Sequence, residues 1–182
     1  MYKNIEKEHK LLVSKEDFEA LTKFYEPLTF VEQTNVYYDT ENNDIETCRG
    51  MMRIRTRENR HIFGLKLFDR HNELMEYECY VKENSVLGLN QKDVLDLLRN
   101  YGFEAPFHEK ARLTTKRAIM VSNDAELCFD INEYNDIVDY EIEYEYKRSH
   151  DGFTIFNNIL SKVGLHYEKN GPSKIQRVLH VD

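Results

Sequence analysis

The chain opens with the stretch Ile5-Glu6-Lys7-Glu8-His9-Lys10-Leu11-Leu12-Val13, in which two carboxylates and one ammonium group occupy alternate positions. In a β-strand, alternate side chains share one face. A strand over residues 4–13 would therefore point Glu6, Glu8 and Lys10 in one direction. Lys7 and His9 would fall on the opposite face, where we expect surface residues. The stretch predicts a strand whose charged face carries both signs.

The same alternation recurs in three later stretches, each with charges of a single sign. An antiparallel sheet with one solvated face also alternates apolar and polar residues, so alternation alone fits a surface sheet. Neighbouring like charges repel, however, and clustered arginines usually hold an anion. Separate blocks of opposite sign are better explained if the charged faces meet across a lumen that holds an anion and metal ions. The stretches carry Arg53, Arg55 and Arg57, then Glu76 and Glu78, and finally Glu141, Glu143 and Glu145.

Composition predicts a folded protein of one domain. The 182 residues are 41% hydrophobic and 32% charged, which suits a sizeable core. The formal net charge of −8 argues against a nucleic-acid partner, although a local basic cluster can still hold a small anion. The first six residues lack the apolar region of a signal peptide, and no run approaches the roughly 18 apolar residues of a membrane span. We therefore expect a cytoplasmic protein with no membrane partner.

Cysteine and histidine give no sign of a thiolate or imidazole metal site. Cys48, Cys79 and Cys128 are odd in number and widely spaced, and they match no zinc or disulfide framework. We expect reduced thiols in the core. The seven histidines show no ligand spacing, so a zinc site is not expected.

Turn and capping signals divide the rest of the chain. Ser14 is a predicted N-cap with Asp17 at the capping-box position, and the helix that follows ends before Pro27. Gly164 is a plausible C-terminal cap, and Pro172 can start a last helix. Further strands are predicted at about 30–39, 51–58, 61–68, 73–82, 109–122, 125–133 and 137–148, with helices from Asn90 to Gly102 and over 151–163.

A series of short motifs follows the chain in order. The motifs are Glu6-x-Glu8-x-Lys10, Tyr37-Tyr38-Asp39-Thr40, Arg53-Ile54-Arg55, Lys66 in Gly64-Leu65-Lys66-Leu67, Glu76-x-Glu78, Thr115-Lys116-Arg117, Phe129-Asp130, Glu141-Ile142-Glu143 and Ser173-Lys174-Ile175. This ordered set resembles the CYTH superfamily, also called the triphosphate tunnel metalloenzymes. The N-terminal motif looks like the family's ExExK signature, and the whole is similar to short bacillus-type CYTH proteins and to thiamine triphosphatase. Many members carry Lys-x-Arg where this chain has Thr115-x-Arg117, for which Lys110-x-Arg112 is a weaker alternative.

The resemblance implies an α+β fold over a single CYTH domain, residues 1–182. Its centre would be a closed antiparallel β-barrel of eight strands, a tunnel with charged side chains inside and helices packed outside. Closing the barrel would remove exposed strand edges. Apolar residues would alternate with the tunnel residues and face the helices, namely Met52, Ile54, Tyr140, Ile142 and Tyr144. Tyr37 and Asp39 either border the tunnel or pack in the core.

The resemblance also assigns site residues. It implies catalytic roles for Glu6, Glu8, Lys10, Arg55 and Lys66. Substrate binding would fall to Lys10, Arg53, Arg55, Lys66, Arg117 and Lys174. The metal ligands would be Glu6, Glu8, Asp130, Glu141 and Glu143, with Glu76 and Glu78 as possible additional tunnel residues.

These residue types suit phosphoryl chemistry. Arginine binds phosphate oxygens through two N–H groups, lysine acts as a point charge, and Mg²⁺ or Mn²⁺ prefers carboxylate oxygens. We therefore expect metal-dependent hydrolysis of a linear triphosphate: inorganic triphosphate, thiamine triphosphate or a nucleoside triphosphate. The alternatives are an adenylate cyclase and a binding module that holds a phosphorylated ligand without turnover. The partner would be the small substrate, and the protein a monomer or homodimer.

Overall fold

The computed structural model describes residues 1–179, which form nine β-strands and six α-helices. The strands are β1 (Tyr2–Glu6), β2 (Glu8–Val13), β3 (Val31–Thr40), β4 (Met51–Arg57), β5 (Arg60–Phe68), β6 (Leu74–Val81), β7 (Phe107–Val121), β8 (Ala125–Tyr134) and β9 (Ile137–Tyr146). The helices are α1 (Lys15–Thr22), α2 (Asp44–Thr47), α3 (Val86–Leu89), α4 (Lys92–Asn100), α5 (Gly152–Leu160) and α6 (Lys174–Leu179). Within residues 1–179, no helix has the length and apolar content that a membrane crossing needs.

The strands belong to one sheet, and the α+β prediction is confirmed. Their hydrogen-bonded order is β1-β6-β5-β4-β3-β7-β8-β9-β2. The structure describes nine strands in residues 1–179 where eight were expected, because the strand predicted over 4–13 is divided at Lys7. Its first part pairs with β6 and its second part with β9, both antiparallel. Alternation of side chains does not reveal such a change of partner. Closure of the sheet into a barrel stays a prediction.

The chain divides into two compact units. The first contains Met1–Glu6, Gln33–Leu113 and the segment from Lys174 onward, and the second contains Lys7–Glu32 and Thr114–Ser173. The long strand β7 contributes to both. Assignment of the whole chain to a single domain stays a prediction.

The core of the first unit lies between strands β4 and β5 and the helices that follow β6. Met52 and Ile54 are buried there, as predicted, because they alternate with Arg53 and Arg55 along β4. Phe63 and Leu65 of β5 are also fully buried. The helical side of this core is formed by Leu89 of α3 and by Val94 and Leu98 of α4.

The core of the second unit lies between strands β8 and β9 and the helices α1 and α5. Ile142 and Tyr144 of β9 are buried in it, and Tyr140 packs against it, as the alternation predicted. The opposite face of β9 carries the glutamates. The residues that the helices contribute are Phe18 and Leu21 of α1, and Phe156 and Leu160 of α5.

Most of the predicted helix boundaries are confirmed. The Ser14 hydroxyl oxygen accepts the Asp17 backbone N–H at 3.0 Å, and Gly164 closes the turn after α5 with φ +76°. Two expectations are wrong. Helix α6 begins at Lys174 rather than at Pro172, and the thiol of Cys48 is exposed rather than in the core.

Candidate functional site

The charged face of the first unit is assembled by strand register. Arg53 of β4 lies opposite Gly64 of β5, which in turn lies opposite Glu78 of β6. Lys66 of β5 lies opposite Glu76 of β6. These positions share one face because strand side chains alternate with a period of two. Basic and acidic residues from separate stretches of the sequence therefore come together on adjacent strands, whereas their meeting across a lumen stays a prediction.

Ion pairs join these side chains into a first charged cluster, which comprises Glu6, Arg53, Lys66, Glu76 and Glu78. The Arg53 Nη2 atom lies 3.6 Å from Glu76 Oε1 and 3.7 Å from Glu78 Oε1. The Lys66 ammonium lies 3.4 Å from Glu76 Oε1 and also donates a hydrogen bond to Glu6 Oε1. Arg53 is only 7% exposed, so the charges of this cluster are largely removed from water.

The pKa values of this cluster favour the charged forms. Burial alone would lower the pKa of Arg53, but Glu76 and the neighbouring carboxylates outweigh burial and raise it. Burial alone would raise the pKa of Glu76, but Lys66 and then Arg53 hold it below its usual value. Arg53 is therefore a cation and Glu76 an anion at neutral pH.

Two further residues complete this face. Arg55 follows on β4, and its Nε–H donates to Asn35 Oδ1 at 3.1 Å. Gly64 is a residue that the sequence reasoning missed. A Cβ atom at Gly64 would lie 3.4 Å from Arg53 Nε and 3.8 Å from Glu78 Oε1. The glycine leaves room for the Arg53 side chain to cross β5, and the available signal was a glycine inside a strand.

The charged face of the second unit is built the same way. Arg117 of β7 lies opposite Asp130 of β8, which lies opposite Glu141 of β9. Lys10 of β2 lies opposite Glu143 of β9. Three predicted metal ligands and two predicted substrate-binding residues therefore occupy adjacent strands.

A second charged cluster comprises Arg117, Asp130, Glu141 and Glu143, in which Arg117 is hydrogen-bonded to Asp130 and Glu143. Arg117 Nε–H donates to Asp130 Oδ1 at 2.6 Å, and its Nη2 group donates to Asp130 Oδ2 and Glu143 Oε2. Asp130 is fully buried, and Glu141 is 1% exposed. Burial alone would lower the pKa of Arg117, but Asp130 and Glu143 raise it well above its usual value.

The carboxylates of this cluster fit a divalent metal ion. Asp130, Glu141 and Glu143 each offer an oxygen, and the three oxygens lie within 4.8 Å of one another. All three residues are buried, and the Arg117 guanidinium contacts Asp130 and Glu143. A set made only of carboxylate oxygens suits Mg²⁺ or Mn²⁺ and offers no soft ligand.

The remaining predicted site residues lie in several places. Lys10 Nζ donates to Glu8 Oε1 at 2.6 Å in the second unit, whereas Glu6 pairs with Lys66 in the first. Lys174 is the first residue of α6 and is half-buried.

The alternative basic pair lies outside the second charged cluster. Lys110 Nζ donates to Asn43 Oδ1 and Glu46 Oε2, at 2.6 and 3.0 Å. Arg112 is exposed and pairs with Glu109. Of the two arginines of β7, Arg117 is therefore the one that contacts the carboxylates of the second charged cluster.

Two flanking residues have structural roles. Asp39 is 3% exposed, and its carboxylate accepts the backbone N–H groups of Thr40, Ile45 and Glu46, so it fixes the start of α2. His9 is half-buried rather than a surface residue. Its Nδ1 lies 2.9 Å from the Tyr167 hydroxyl, and burial lowers its pKa. The sequence prediction failed for His9 because helix α5 covers this face of β2.

Known proteins are similar to this chain over nearly its full length. YjbK of Bacillus subtilis, provisionally named a triphosphatase, is 25% identical over 175 residues, which are 91% of this chain and 90% of that protein. A crystal structure from Bacillus halodurans, provisionally named an adenylate cyclase, is 29% identical with a TM-score of 0.85 over 97% of this chain and 98% of its own. HpAC1 from Hippeastrum, described as having a dominant triphosphatase activity, shares the fold at 20% identity with a TM-score of 0.74, over 96% of this chain and 95% of its own. The sequence model of the CYTH domain matches residues 4–178, and the chain therefore belongs to the CYTH family.

Proposed function

We propose that the protein hydrolyses a linear triphosphate in a reaction that depends on Mg²⁺ or Mn²⁺. The observation that carries this proposal is the second charged cluster. Its three carboxylates are buried, and burying like charges is costly unless cations offset them. Arg117 contacts Asp130 and Glu143, and a divalent ion held by Asp130, Glu141 and Glu143 would add further positive charge at their oxygens.

The residues have distinct proposed roles. When bound, the metal would neutralise charge on the phosphates and lower the pKa of a water molecule. Arg117 donates hydrogen bonds to Asp130 and Glu143. If those carboxylates held a metal ion, Arg117 would donate to phosphate oxygens of the substrate instead. Glu8 is assigned to assist the metal ligands, and Lys10 to pair with the substrate.

The other basic residues are assigned to the substrate. A linear triphosphate carries about four negative charges, so its removal from water requires several fixed cations. Arginine can engage two phosphate oxygens at once, and the raised pKa of Arg53 keeps that side chain charged. The set comprises Arg53, Arg55, Lys66 and Lys174, with Glu6, Glu76 and Glu78 orienting the cations of the first charged cluster.

The leading substrates are inorganic triphosphate and thiamine triphosphate, followed by nucleoside triphosphates. The triphosphatase name of the Bacillus subtilis relative supports hydrolysis. The name of the Bacillus halodurans structure makes adenylate cyclase the second candidate. A cyclase would release pyrophosphate and a cyclic nucleotide, so the products separate the two reactions. A module that only binds an anion gains nothing from a buried set of carboxylates, which argues against that third reading.

The test is a panel of inorganic triphosphate, thiamine triphosphate and ATP with Mg²⁺ or Mn²⁺, in which phosphate, pyrophosphate and cyclic AMP are all measured. We expect phosphate release that EDTA abolishes. Glu143→Gln should remove most of the activity, whereas Glu133→Gln, an exposed glutamate of β8, should leave it unchanged.

Each of the other outcomes rejects part of the proposal. Undiminished turnover in EDTA would reject the metal. Cyclic AMP with pyrophosphate would favour the cyclase, and tight binding without any product would favour the binding module.

A further inference from the structure

The side-chain amide of Asn170 lies against the backbone of β2. Asn170 Nδ2–H donates to the Glu8 carbonyl oxygen at 3.1 Å, and Asn170 Oδ1 accepts the Lys10 backbone N–H at 2.8 Å. On the other edge, the carbonyl of Lys7, just before β2, accepts the N–H of Tyr146, the last residue of β9. The backbone N–H and C=O groups of successive residues point to opposite strand edges, so Glu8 and Lys10 direct theirs away from β9. Asn170 therefore supplies the two hydrogen bonds that a neighbouring strand would make.

The orientation of this amide is fixed by the backbone of β2 and supported by Tyr167. The Lys10 N–H can only donate and the Glu8 carbonyl can only accept, so the amide oxygen faces Lys10 and the amide nitrogen faces Glu8. The Tyr167 hydroxyl donates to the same Oδ1 at 2.9 Å. The oxygen thus accepts two hydrogen bonds, one from Tyr167 and one from Lys10.

Tyr167 itself is held by helix α5. Asn157 Oδ1 accepts the Tyr167 backbone N–H at 2.8 Å, and Asn157 Nδ2–H donates to the Tyr167 carbonyl at 3.1 Å. The tyrosine is 4% exposed, and its ring packs edge-on against Phe156, with the ring centroids 5.2 Å apart. The amide of Asn170 is therefore supported from a packed helix.

We propose that Asn170 is a positioning residue for Glu8 and Lys10. It fixes the backbone of the two residues whose side chains form the 2.6 Å ion pair of β2, and Lys10 lies opposite Glu143 of the second charged cluster. This inference rests on the proposed function, because it assigns to Asn170 the placement of one metal-assisting and one substrate-binding side chain. Misplacement of such groups by about 1 Å can cost a hundredfold in rate.

The contribution of Asn170 to stability is small by comparison. Its side chain is exposed, and water can replace both of its hydrogen bonds to β2 when the amide is removed. We expect Asn170→Ala to lower the melting temperature by about 4 °C at most. A tenfold loss of metal affinity or turnover would therefore be too large to follow from this small loss of stability, and it would indicate that Glu8 and Lys10 are misplaced.

The experiment compares Asn170→Ala with Asn158→Ala, which changes an exposed asparagine of α5. Hydrogen exchange of the Lys10 amide should be faster in Asn170→Ala and unchanged in Asn158→Ala. The half-saturating Mn²⁺ concentration for hydrolysis of inorganic triphosphate should rise about tenfold, and kcat should fall by a similar factor. Tyr167→Phe, which removes only the supporting hydroxyl, should shift the same quantities in the same direction by less.

The outcomes separate this inference from the proposed function. If the wild type hydrolyses no triphosphate, the proposed function fails, but the positioning role of Asn170 can still be tested by calorimetric titration with Mn²⁺ alone. Weaker Mn²⁺ binding by Asn170→Ala than by the wild type supports the positioning role, and equal binding overturns it. Unchanged Lys10 exchange together with unchanged metal dependence also overturns it. If Asn170→Ala fails to fold, the same comparison with Tyr167→Phe decides, and wild-type exchange and metal dependence in that variant count against the inference.

Discussion

At the scale of single residues, the site consists of charges that stay charged because of their neighbours. Arg53 and Arg117 are largely buried, and carboxylates at short range raise the pKa of both despite burial. Each is therefore a permanent cation held in one place, which suits the proposed binding of a triphosphate. The apolar residues that alternate with such an arginine along its strand have a different role, which allows a direct comparison.

Ile54 and Arg55 are adjacent on β4 but face opposite ways. Arg55→Ala should reduce kcat/KM for the preferred triphosphate by about 2 kcal/mol of transition-state stabilisation or more, because it removes a charged contact. Ile54→Ala should instead lower the free energy of unfolding by about 2–5 kcal/mol, because Ile54 is fully buried in the first core. Steady-state kinetics and urea denaturation of both variants test this. Wild-type kinetics of Arg55→Ala on every triphosphate would show that its assignment is wrong.

Gly64 should be sensitive to side-chain size. An alanine Cβ would touch Arg53 Nε at 3.4 Å, an ordinary contact, so Gly64→Ala should fold well and gain about 0.5–1 kcal/mol of stability. The branches of valine would occupy the path of the Arg53 side chain, so Gly64→Val should lower kcat/KM by about tenfold or more. Kinetics of the two variants provide the comparison. Equal activity would mean that Arg53 does not need this path.

At the scale of elements, alternation predicted strands well. Strands β3–β9 lie within a few residues of the predicted ranges, because each strand buries one face and a shift by one residue would bury its charges. The division at Lys7 was not predicted, since a strand that changes its partner keeps the same alternation. Helices α2 and α3 were missed because four residues are too few to show a helical period.

The candidate site was predictable only in part. Charged residues such as Arg117 and Asp130 can be recognised as candidates from their residue type and their spacing in the sequence. Gly64 matters because it has no side chain, and Asn170 because its amide contacts the backbone of β2. Neither feature produces a periodic pattern in the sequence. The role of Asp39 depended on α2, an element that the sequence did not indicate.

Helix α2 provides an element-scale prediction. Asp39→Asn should lower the free energy of unfolding by about 1–3 kcal/mol, because one acceptor oxygen becomes an N–H donor that faces the buried backbone N–H groups at the start of α2. Glu41→Gln, an exposed change in the next turn, should have no effect. Urea denaturation measures both. A neutral Asp39→Asn would indicate that these N–H groups have other acceptors.

At the scale of the whole molecule, a protein with a net charge of −8 places three buried carboxylates, those of Asp130, Glu141 and Glu143, close enough together to hold a metal ion. Ligand binding to the native state stabilises it by mass action, so Mn²⁺ at about 100 times its dissociation constant should add about 2.7 kcal/mol. For a protein of this size the melting temperature should rise by about 5–10 °C.

Glu141→Gln should lose most of that rise, whereas Asp136→Asn, an exposed change in the turn between β8 and β9, should retain it. Thermal melts with and without Mn²⁺ measure the difference. Identical shifts in both variants would place the metal elsewhere.

The hydrogen bonds of Arg117 also constrain how this sequence can evolve. Loss of Arg117 alone leaves Asp130 and Glu143 without the guanidinium that both contact, and breaking a buried ion pair typically costs about 3–5 kcal/mol. Joint replacement of such groups by apolar side chains of similar volume is often neutral, yet it needs several simultaneous changes. Single-step mutation therefore cannot readily dismantle the arrangement. A descendant that no longer needed the reaction would keep these charges for many generations, and their survival in a lineage would outlast the activity that first selected them.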